Sequence, residues 1–393
     1  MKQKKKILAR IEISVIVALL LVLAVVSQIG RQEKTAKTTE NKKETIVPSV
    51  ASAESTVGET PADDAVHTET GAVSQSEQPE TSTQAETVQL TISAAGDCTL
   101  GKDEAAAYAT SLNAFYDARG ASYFLEDVKS VFEGDDLTIT NMEGTLTESD
   151  AIVEKSFNFK ADAAYADILT EGSVEAVNLA NNHSRDYGEK GYTDTIEALD
   201  AAGIVNFGYE RTATMKMKDL QVTLLGYNLL SKRESTIEQM KESVAKAKVE
   251  GGNLVIVSFH WGKERQYAPL EYQKTAAHAA IDAGADLVLG HHPHVLQGVE
   301  KYNGRYICYS LGNFCFGGNK NPSDKDTMIF QQTFTFEGGN LLDDDQVRIL
   351  PCSLSSSTKK NDYRPRILKG KEKERVKQKI EEMSDIPDNI SWE

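Results

Sequence analysis

From about Val88 to the C-terminus, short apolar runs alternate with amphipathic stretches. The apolar runs predict strands at 88–95, 137–141, 174–179, 221–227, 254–259 and 286–289, and the amphipathic stretches predict helices at 123–132, 163–170, 188–202, 235–249 and 271–283. More strands are expected within 306–316 and 327–336, and a charged, solvated helix within 369–383. Alternating strands and helices are typical of layered α/β domains, and 393 residues are enough to bury a large core.

Five of the predicted strands are followed directly by carboxylate, amide or imidazole side chains. The five segments are Ala94–Asp97, Thr140–Gly144, Leu179–His183, Ser258–Gly262 and Leu289–His294. In open α/β sheets the ligand crevice lies outside the carboxyl ends of the strands. The sequence therefore predicts a single polar site that is built from several strand ends.

Histidine is concentrated at these strand ends. They hold five of the seven histidines, namely His183, His260, His291, His292 and His294. Alternate residues of an extended segment point the same way, so His292 and His294 are expected to face one site, with Pro293 stiffening the turn between them. Imidazole nitrogens together with carboxylate and amide oxygens suit Zn, Mn or Fe, whereas an all-oxygen set would suggest Mg or Ca. The group predicts a divalent transition-metal site, although any one of these histidines alone fits a hydrogen-bonded structural role equally well.

Other catalytic chemistries have weaker support in the sequence. Gly-x-Ser-x-Gly is absent, and the segment from Gly96 to Gly101 lacks the Gly-Lys-Ser/Thr of a phosphate-binding loop. Cys98 is disfavoured as a nucleophile because the charge of Asp97 would raise the pKa of its thiol. The four cysteines (98, 308, 315 and 352) form no CxxC pair and are interpreted as small buried hydrophobic residues.

Together these motifs resemble the CapA family, the capsule and poly-γ-glutamate biosynthesis proteins whose domain is grouped with the calcineurin-like metallophosphoesterases. The resemblance covers about residues 90–316 and is carried by Gly96-Asp97, Asn141-x-Glu143-Gly144, Leu179 to His183 with Asp186-Tyr187-Gly188, His260-Trp261-Gly262-x-Glu264, Gly290-x-His292-Pro293-His294 and Ser310 to Phe314. It implies a four-layer α/β/β/α sandwich with a β-rich C-terminal extension over residues 88–368, followed by a charged helix or tail at 369–393.

The resemblance also implies a role for particular residues. The metal ligands, for one or two ions, would be Asp97, Glu143, Asn182, His260, His292 and His294, with Glu143 matching the carboxylate that bridges two metals. His183 would protonate the leaving oxygen, and Asp186 would orient its ring. Five further residues of the motifs are expected to bind substrate, namely Asn181, Trp261, Glu264, His291 and Asn313.

One motif departs from the phosphoesterase pattern. Phosphoesterases of this type carry Asp-x-His on the first strand, whereas this chain has Asp97-Cys98-Thr99. Two hypotheses therefore stay open. The first is a membrane-anchored, extracytoplasmic, metal-dependent hydrolase that acts on a cell-envelope phosphoester or polymer linkage, and His183 favours it. The second is a non-catalytic metal-binding component of a polyglutamate synthesis and export complex, which the missing histidine favours.

The N-terminal region has the composition of a membrane anchor followed by a tether. Residues 1–12 contain five Lys and Arg, and residues 13–29 contain no charge. We expect a cytoplasmic segment at 1–12, a single transmembrane helix at 13–29 and an extracellular C-terminal domain, with a cleavable signal peptide as the alternative. Residues 31–87 contain no aromatic residue and predict a disordered linker.

The charge of the chain restricts its partners. The formal net charge is −16, and it becomes −20 (38 − 58) when residues 1–12 are left out. Nucleic acid is excluded as a partner because binding it needs a broad basic face. The anionic polymer or phosphoester that the resemblance implies would need bound cations to offset the charge of the domain. Capsule synthesis or export subunits are the protein partners that the resemblance implies.

We predict that residues 13–29 are retained in the mature protein, because the basic flank is strong and the small-residue cleavage site Val25-Val26-Ser27 is weak and lacks an A-x-A pattern. Fractionation of cells that express the full chain, with sequencing of the mature N-terminus, should find it in the membrane fraction with its own N-terminus. A soluble secreted form that begins near Gln28 would contradict the anchor.

Overall fold

The structure is a computed structural model that describes residues 86–343 and 346–393. The predicted cytoplasmic segment 1–12, the transmembrane helix 13–29 and the linker up to residue 85 lie outside the described residues. Among the residues that are described, no helix is long and apolar enough to cross a membrane. The described residues belong to one compact unit.

The described residues form nineteen strands, which we number in chain order. They are β1 (Thr87–Thr99), β2 (Lys102–Asp103), β3 (Leu137–Met142), β4 (Thr145–Leu146), β5 (Phe159–Ala161), β6 (Ala176–Asn178), β7 (Val205–Phe207), β8 (Ala213–Met217), β9 (Leu220–Asn228), β10 (Leu254–His260), β11 (Leu287–His291), β12 (Leu296–Tyr302), β13 (Arg305–Leu311), β14 (Asn313–Phe316), β15 (Asp326–Glu337), β16 (Asn340–Leu341), β17 (Val347–Ser353), β18 (Arg366–Ile367) and β19 (Ser391–Trp392).

Seven α-helices lie in the same described part of the chain. They are α1 (Leu112–Arg119), α2 (Lys129–Phe132), α3 (Asp167–Glu171), α4 (Gly188–Ala201), α5 (Arg233–Val249), α6 (Glu271–Asp282) and α7 (Gly370–Met383). Short 3₁₀ turns occur at Tyr108–Thr110, Ala121–Tyr123 and Ala163–Ala166.

Two large mixed sheets form the centre of the domain. The first has the order β18-β17-β15-β1-β3-β6-β7, with β14, β16 and β19 paired to β1, β15 and β17. The second has the order β12-β13-β11-β10-β9-β8. Strands β1, β3, β6 and β7 are parallel, and so are β9, β10, β11 and β13, so that each sheet has several carboxyl ends along one edge. A small third sheet contains β2, β5 and β4.

Three hydrophobic clusters separate the layers. The cluster between the two sheets contains Ile92 and Ile139 of the first sheet and Ile256 of the second. A second cluster joins the other face of the first sheet to helices α3 and α4. A third joins the other face of the second sheet to α5 and α6, and it contains Val244 and Val257. The order helix, sheet, sheet, helix confirms the predicted α/β class.

Strand β10 shows why the apolar runs are continuous. Leu254 and Ile256 face the cluster between the sheets, while Val255, Val257 and Phe259 face helices α5 and α6. A strand that is buried on both faces needs apolar residues at every position rather than at alternate ones. All seven residues of β10 are buried, including the polar ones at its end.

The segment predicted as a helix at 123–132 is mostly not one. The structure has a 3₁₀ turn that ends at Tyr123 and then only the short helix α2, whereas α1, at 112–119, was not predicted. The apolar residues responsible for the helical pattern, among them Phe124, Val128 and Phe132, are nevertheless fully buried. Their spacing reflects packing against the first sheet, which the turns achieve as well as a helix would.

The terminal helix α7 is not simply solvated, which corrects the sequence expectation. Its charged surface carries an apolar stripe, in which Val376 and Ile380 are fully buried in the cluster between the sheets. Arg375 donates two hydrogen bonds to the carboxylate of Asp326, at 2.8 and 2.6 Å. The predicted β-rich extension is confirmed, because β15 pairs antiparallel with β1 from Ala94 to Thr87.

We predict that Ile380→Ala lowers the free energy of unfolding by about 2–5 kcal/mol, because it removes buried methyl and methylene groups from a packed core. Urea unfolding of the full chain measures this. The matched control on the same helix, Glu374→Ala, is exposed and should change stability by less than about 0.5 kcal/mol. Equal stability of the two variants would show that α7 contributes nothing to the core.

Candidate metal centre

The carboxyl ends of strands from both sheets meet at one site. In the first sheet, Asp97 of β1 is in register with Asn141 of β3, and Asn141 is in register with Asn178 of β6. In the second sheet, His260 of β10 is in register with His291 of β11. A Cβ atom at position 96 would lie 2.0 Å from the carbonyl oxygen of Gly312, so the glycine before Asp97 permits this close approach of two backbones.

The Glu143 carboxylate is the centre of this group. It is fully buried, and neither of its oxygens has a hydrogen-bond partner. Its Oε1 lies 3.9 Å from Nε2 of His183, 3.7 Å from Nε2 of His260 and 3.8 Å from Nε2 of His294. Burial, which the charge of His294 offsets only in part, raises the pKa of the Glu143 carboxyl to about 8. A buried carboxylate without hydrogen bonds is costly unless it coordinates a cation, so this environment fits a metal ion.

Three of the predicted ligands are close enough to hold one ion together. Ligand atoms of Glu143, His292 and His294 lie within 4.8 Å of one another. Nδ1 of His292 is buried and has no hydrogen-bond partner. Burial and the neighbouring charge of His294 lower the pKa of His292 to about 4, so its ring is neutral at physiological pH. Neutral imidazole is the form that binds metal.

Asp97 and His294 form the charged pair of the site. Nδ1 of His294 lies 3.2 Å from Oδ2 of Asp97 and 2.8 Å from Oδ1 of Asn313. Although burial lowers the pKa of His294, the charges of Glu143 and Asp97 raise it to about 10. Burial acts to raise the pKa of Asp97, yet its contacts with His291 and His294 hold this pKa well below its usual range. Asp97 is therefore a buried carboxylate, and it also accepts a hydrogen bond of 2.9 Å from Asn141.

His260 and Asn182 approach the centre from opposite sheets. Nε2 of His260 lies 2.6 Å from Oδ1 of Asn182. Burial is the main cause that holds the pKa of His260 well below its usual range. Its ring is thus a neutral donor whose Nε2 faces both Asn182 and Glu143. Asn182 thus approaches Glu143 through His260, as Asp97 does through His294.

The side chains of His292 and His294 come together through a backbone conformation that differs from the extended one predicted from the sequence. Strand β11 ends at His291, and His292 and His294 have positive φ angles of 95° and 56°. The two side chains therefore meet through a tight bend on either side of Pro293 and not through the alternation of an extended strand. Left-handed backbone is unfavourable for residues other than glycine and is concentrated at functional sites, where the surrounding structure enforces it.

The predicted acid, His183, is held by Asp186. Nδ1 of His183 donates to Oδ2 of Asp186 at 2.8 Å, which leaves Nε2 facing Glu143. Asp186 also accepts hydrogen bonds from the backbone of Phe159 at 2.6 Å and from Nζ of Lys155. Burial lowers the pKa of His183, while the Asp186 carboxylate acts in the opposite direction.

The residues predicted to bind substrate occupy different positions. Glu264 and Asn313 line a pocket beside His183 and His294. Trp261 does not, because it follows His260 in the chain and points to the opposite face of the sheet, where its indole is fully buried and donates to the carbonyl of Tyr309 at 2.8 Å. This position does not fit the predicted substrate contact.

Asn181 and His291 are also too deep in the structure for the predicted substrate contact. Asn181 is 1% exposed and donates to the carbonyl of Met142 at 2.8 Å and to Oδ1 of Asn141 at 3.3 Å. His291 is likewise 1% exposed, with Nδ1 at 3.4 Å from Oδ1 of Asp97. Both residues support the ligands from behind rather than face the pocket.

Three further residues of the site, Asn141, Asn178 and Lys155, were missing from the sequence prediction. Asn141 contacts Asp97 and accepts hydrogen bonds from Asn178 at 3.1 Å and from Asn181. Its position at a strand end, two residues before Glu143, was a usable signal. Lys155 donates to the Asn182 carbonyl at 2.7 Å as well as to Asp186. It lies in a loop between β4 and β5, where the sequence carries no such signal.

Comparison with known proteins identifies the family of the chain. The family model described as bacterial capsule synthesis protein PGA_cap matches residues 91–318, more than half of the chain. The chain belongs to this family. The PGA_cap match runs from β1 to just beyond β14 and includes every predicted ligand of the metal centre. Strands β15 to β19 and helix α7 lie outside it.

Two PGA_cap relatives come from Bacillus. The PGA biosynthesis protein CapA of Bacillus subtilis is 31% identical over 219 residues, which cover 50% of this chain and 58% of that protein. The capsule biosynthesis protein CapA of Bacillus anthracis is 28% identical over 301 residues, which cover 70% of each chain. The present chain therefore matches little more than half of the length of the first relative.

A more distant relative and one solved structure also match. The first is a probable polyglutamine synthesis accessory protein of Mycobacterium tuberculosis, 26% identical over 255 residues that cover 56% of this chain and 66% of that protein. The second is the crystal structure of a hypothetical protein from Thermus thermophilus, with 14% identity and a TM-score of 0.42 over 67% of this chain and 99% of that chain.

We predict that His292→Ala weakens the binding of Mn²⁺ or Zn²⁺ by at least about 10 to 100-fold, since even changes behind the ligands have effects of that size. Competition with a chelating dye, measured on the full chain, reports the affinity. His278→Ala is the matched control, because His278 lies on α6 and pairs with Glu300 rather than with the centre. Equal affinities of the two variants would exclude His292 as a ligand.

Proposed function

We propose that this protein is a metal-dependent hydrolase of the phosphoesterase type that acts on a cell-envelope polymer or phosphoester during capsule or poly-γ-glutamate biosynthesis. The main support is the position of Glu143, whose buried carboxylate lacks hydrogen bonds and faces three imidazole nitrogens at 3.7–3.9 Å. The printed names of the two Bacillus relatives support the biological setting.

Some residues of the centre would hold the metal, and others orient those ligands. Asp97, Glu143, Asn182, His260, His292 and His294 would hold one or two ions of Mn, Zn or Fe. When bound, such a metal supplies Lewis-acid polarisation of a phosphoryl oxygen and lowers the pKa of a bound water towards neutrality. Asn313 and Asp97 fix the ring of His294 through its Nδ1, so that Nε2 is directed at the centre.

In this proposal His183 acts on the leaving oxygen. Its Nδ1 hydrogen bond to Asp186 sets the orientation of the ring and stabilises the imidazolium form, so that Nε2 can carry a proton towards the pocket. Asp186 is itself held in place by its contacts with Lys155 and the backbone of Phe159. An anionic substrate beside the ring would favour the protonated imidazole further.

The N-terminal sequence supports an extracytoplasmic location for the domain. In this proposal residues 13–29 anchor the chain in the cell membrane, and residues 31–87 let the domain reach substrates away from the bilayer surface. Cations bound at the centre would reduce the repulsion between a domain of charge −20 (38 − 58 without residues 1–12) and an anionic polymer.

A second candidate function is a metal-binding subunit without turnover. The observation that favours it is that Thr99 stands where the Asp-x-His of phosphoesterases has its histidine on the first strand. Between Asp97 and Thr99 lies Cys98. Its side chain belongs to the cluster between the first sheet and its helices, and burial raises the pKa of its thiol to about 12. Cys98 therefore supplies no thiolate, and the first strand offers one ligand, Asp97.

We predict that His183→Ala retains metal and lowers the turnover of a phosphodiester with an alkoxide leaving group by about 10² to 10⁴-fold, the usual cost of losing a general acid. Activity and metal content are measured on the same preparation, with His278→Ala as the control. Metal loss on a par with His292→Ala would show that His183 is a ligand. A metal-loaded wild type that cleaves no phosphoester would support the second candidate function.

A further inference from the structure

The pocket beside the metal centre has an apolar wall that hydrolysis at a metal does not by itself require. The pocket opens next to His183 and His294. Three phenylalanines line it, namely Phe157, Phe159 and Phe316. Its cavity has a volume of about 170 Å³, whereas a single water needs roughly 10–15 Å³. The pocket therefore has room for a group of several carbon atoms next to the two histidines.

The phenylalanines lie directly against the histidines of the pocket floor. The centroid of the Phe159 ring is 4.6 Å from that of His183. The centroid of the Phe316 ring is 5.3 Å from that of His294. Both phenylalanines are buried, whereas Phe157 at the rim is 58% exposed, which is unusual for so large an apolar side chain. A group that extends from the metal centre past either histidine would therefore contact an aromatic ring.

Gly318 allows two of these rings to lie close together. A Cβ atom at this position would lie 2.7 Å from Cζ of Phe316 and 3.1 Å from Cζ of Phe159. Any side chain at 318 would therefore displace the rings. The same side of the pocket continues with Pro322 and Asp324, which follow β14 and lie beyond the PGA_cap match of residues 91–318. This side of the pocket thus lies outside the region on which the family assignment rests.

The charged groups of the pocket wall balance one another. Glu264 and Arg265 are adjacent in the loop after β10 and carry opposite charges. Asp324 accepts hydrogen bonds from Nζ of Lys379 at 2.7 Å and from the hydroxyl of Tyr267 at 2.9 Å. An anionic chain would gain no net attraction from these groups, because the charge of Glu264 opposes that of Arg265. The balance favours an uncharged group beside the phenylalanines.

We propose that this pocket is a subsite for an uncharged hydrocarbon arm, so that the substrate class is a phosphoester of an apolar alcohol. With the phosphoryl group at the metal centre, the arm extends past His183 and His294 and lies along the phenylalanines. Contact with the rings removes its methylene groups from water, which is favourable and requires no charged partner. The inference rests on the proposed function, because it names the substrate class of the same site.

Binding of phosphonates, whose carbon–phosphorus bond is not hydrolysed, tests the subsite without turnover. Isothermal titration calorimetry would use the Mn²⁺-loaded full chain in lipid nanodiscs, because detergent tails would compete for an apolar pocket. The ligands are methyl-, propyl- and pentylphosphonate, together with 4-carboxybutylphosphonate, in which a carboxylate replaces the terminal methyl group of the pentyl chain.

Two variants of the loop between β4 and β5 locate the effect. Phe157→Ala removes an exposed ring from the rim of the pocket, so the change leaves the core intact. Ile152→Ala is the matched control, because Ile152 is also an exposed apolar residue of this loop but does not line the pocket.

We expect the affinity of wild type and of Ile152→Ala to rise about two- to fourfold with each methylene from methyl- to pentylphosphonate. The carboxylate-ended analogue should bind at least about tenfold more weakly than pentylphosphonate, because its charge would lie against apolar rings. Phe157→Ala should lower the ratio of pentyl to methyl affinity by at least about threefold and leave methylphosphonate binding unchanged.

Four outcomes would overturn the subsite. They are equal affinities across the alkyl series, tighter binding of the carboxylate-ended analogue, a ratio that Phe157→Ala leaves unchanged or that both variants lower equally, and no phosphonate binding by wild type. Hydrolysis of the corresponding phosphodiesters is assayed separately. Binding that rises with chain length but is accompanied by no turnover would remove the hydrolase proposal and leave the subsite intact, whereas turnover with equal affinities would do the reverse.

Discussion

The burial of two carboxylates, Asp97 and Glu143, among imidazoles is the interaction on which the rest of the structure depends. Both carboxylates come from the first sheet, whereas His260 and His294 come from the second. Apolar packing between the sheets is not directional and would allow several relative positions. A buried charge without a partner is strongly unfavourable, so the two sheets must meet where acid and imidazole face each other. The hydrophobic clusters then supply most of the stability, while the contacts between carboxylates and imidazoles determine the relative position of the two sheets.

The histidines of the centre differ in the direction of their pKa shifts. His294, between Asp97 and Glu143, has a raised pKa, whereas the pKa values of His260 and His292 are lowered. Asp97 is balanced by its imidazole contacts, while Glu143 keeps two oxygens without hydrogen bonds. The site thus contains neutral nitrogen donors beside an unsatisfied carboxylate, which is the combination that a divalent transition metal stabilises.

The part of the chain outside the PGA_cap match completes the domain in two ways. Strands β15 and β17 extend the first sheet, and α7 buries Val376 and Ile380 between the sheets. The same helix reaches the pocket, because Lys379 pairs with Asp324 in the loop after β14. Core packing and the shape of the pocket are therefore linked through one C-terminal helix, although its composition suggests only a solvated surface.

The sequence by itself determined the α/β class and the residues that could form a centre, because burial on both faces makes a strand continuously apolar and leaves polar residues conspicuous at its ends. The tertiary structure alone decided how those residues are used. Trp261 and His260 are adjacent in sequence, yet the alternation of a strand sends one into the helix-facing core and the other to Glu143. His292 and His294 converge through left-handed backbone, and Lys155 reaches Asp186 from a loop. Such contacts join residues far apart in the chain or depend on φ angles that side-chain chemistry does not encode, so no local pattern could have predicted them.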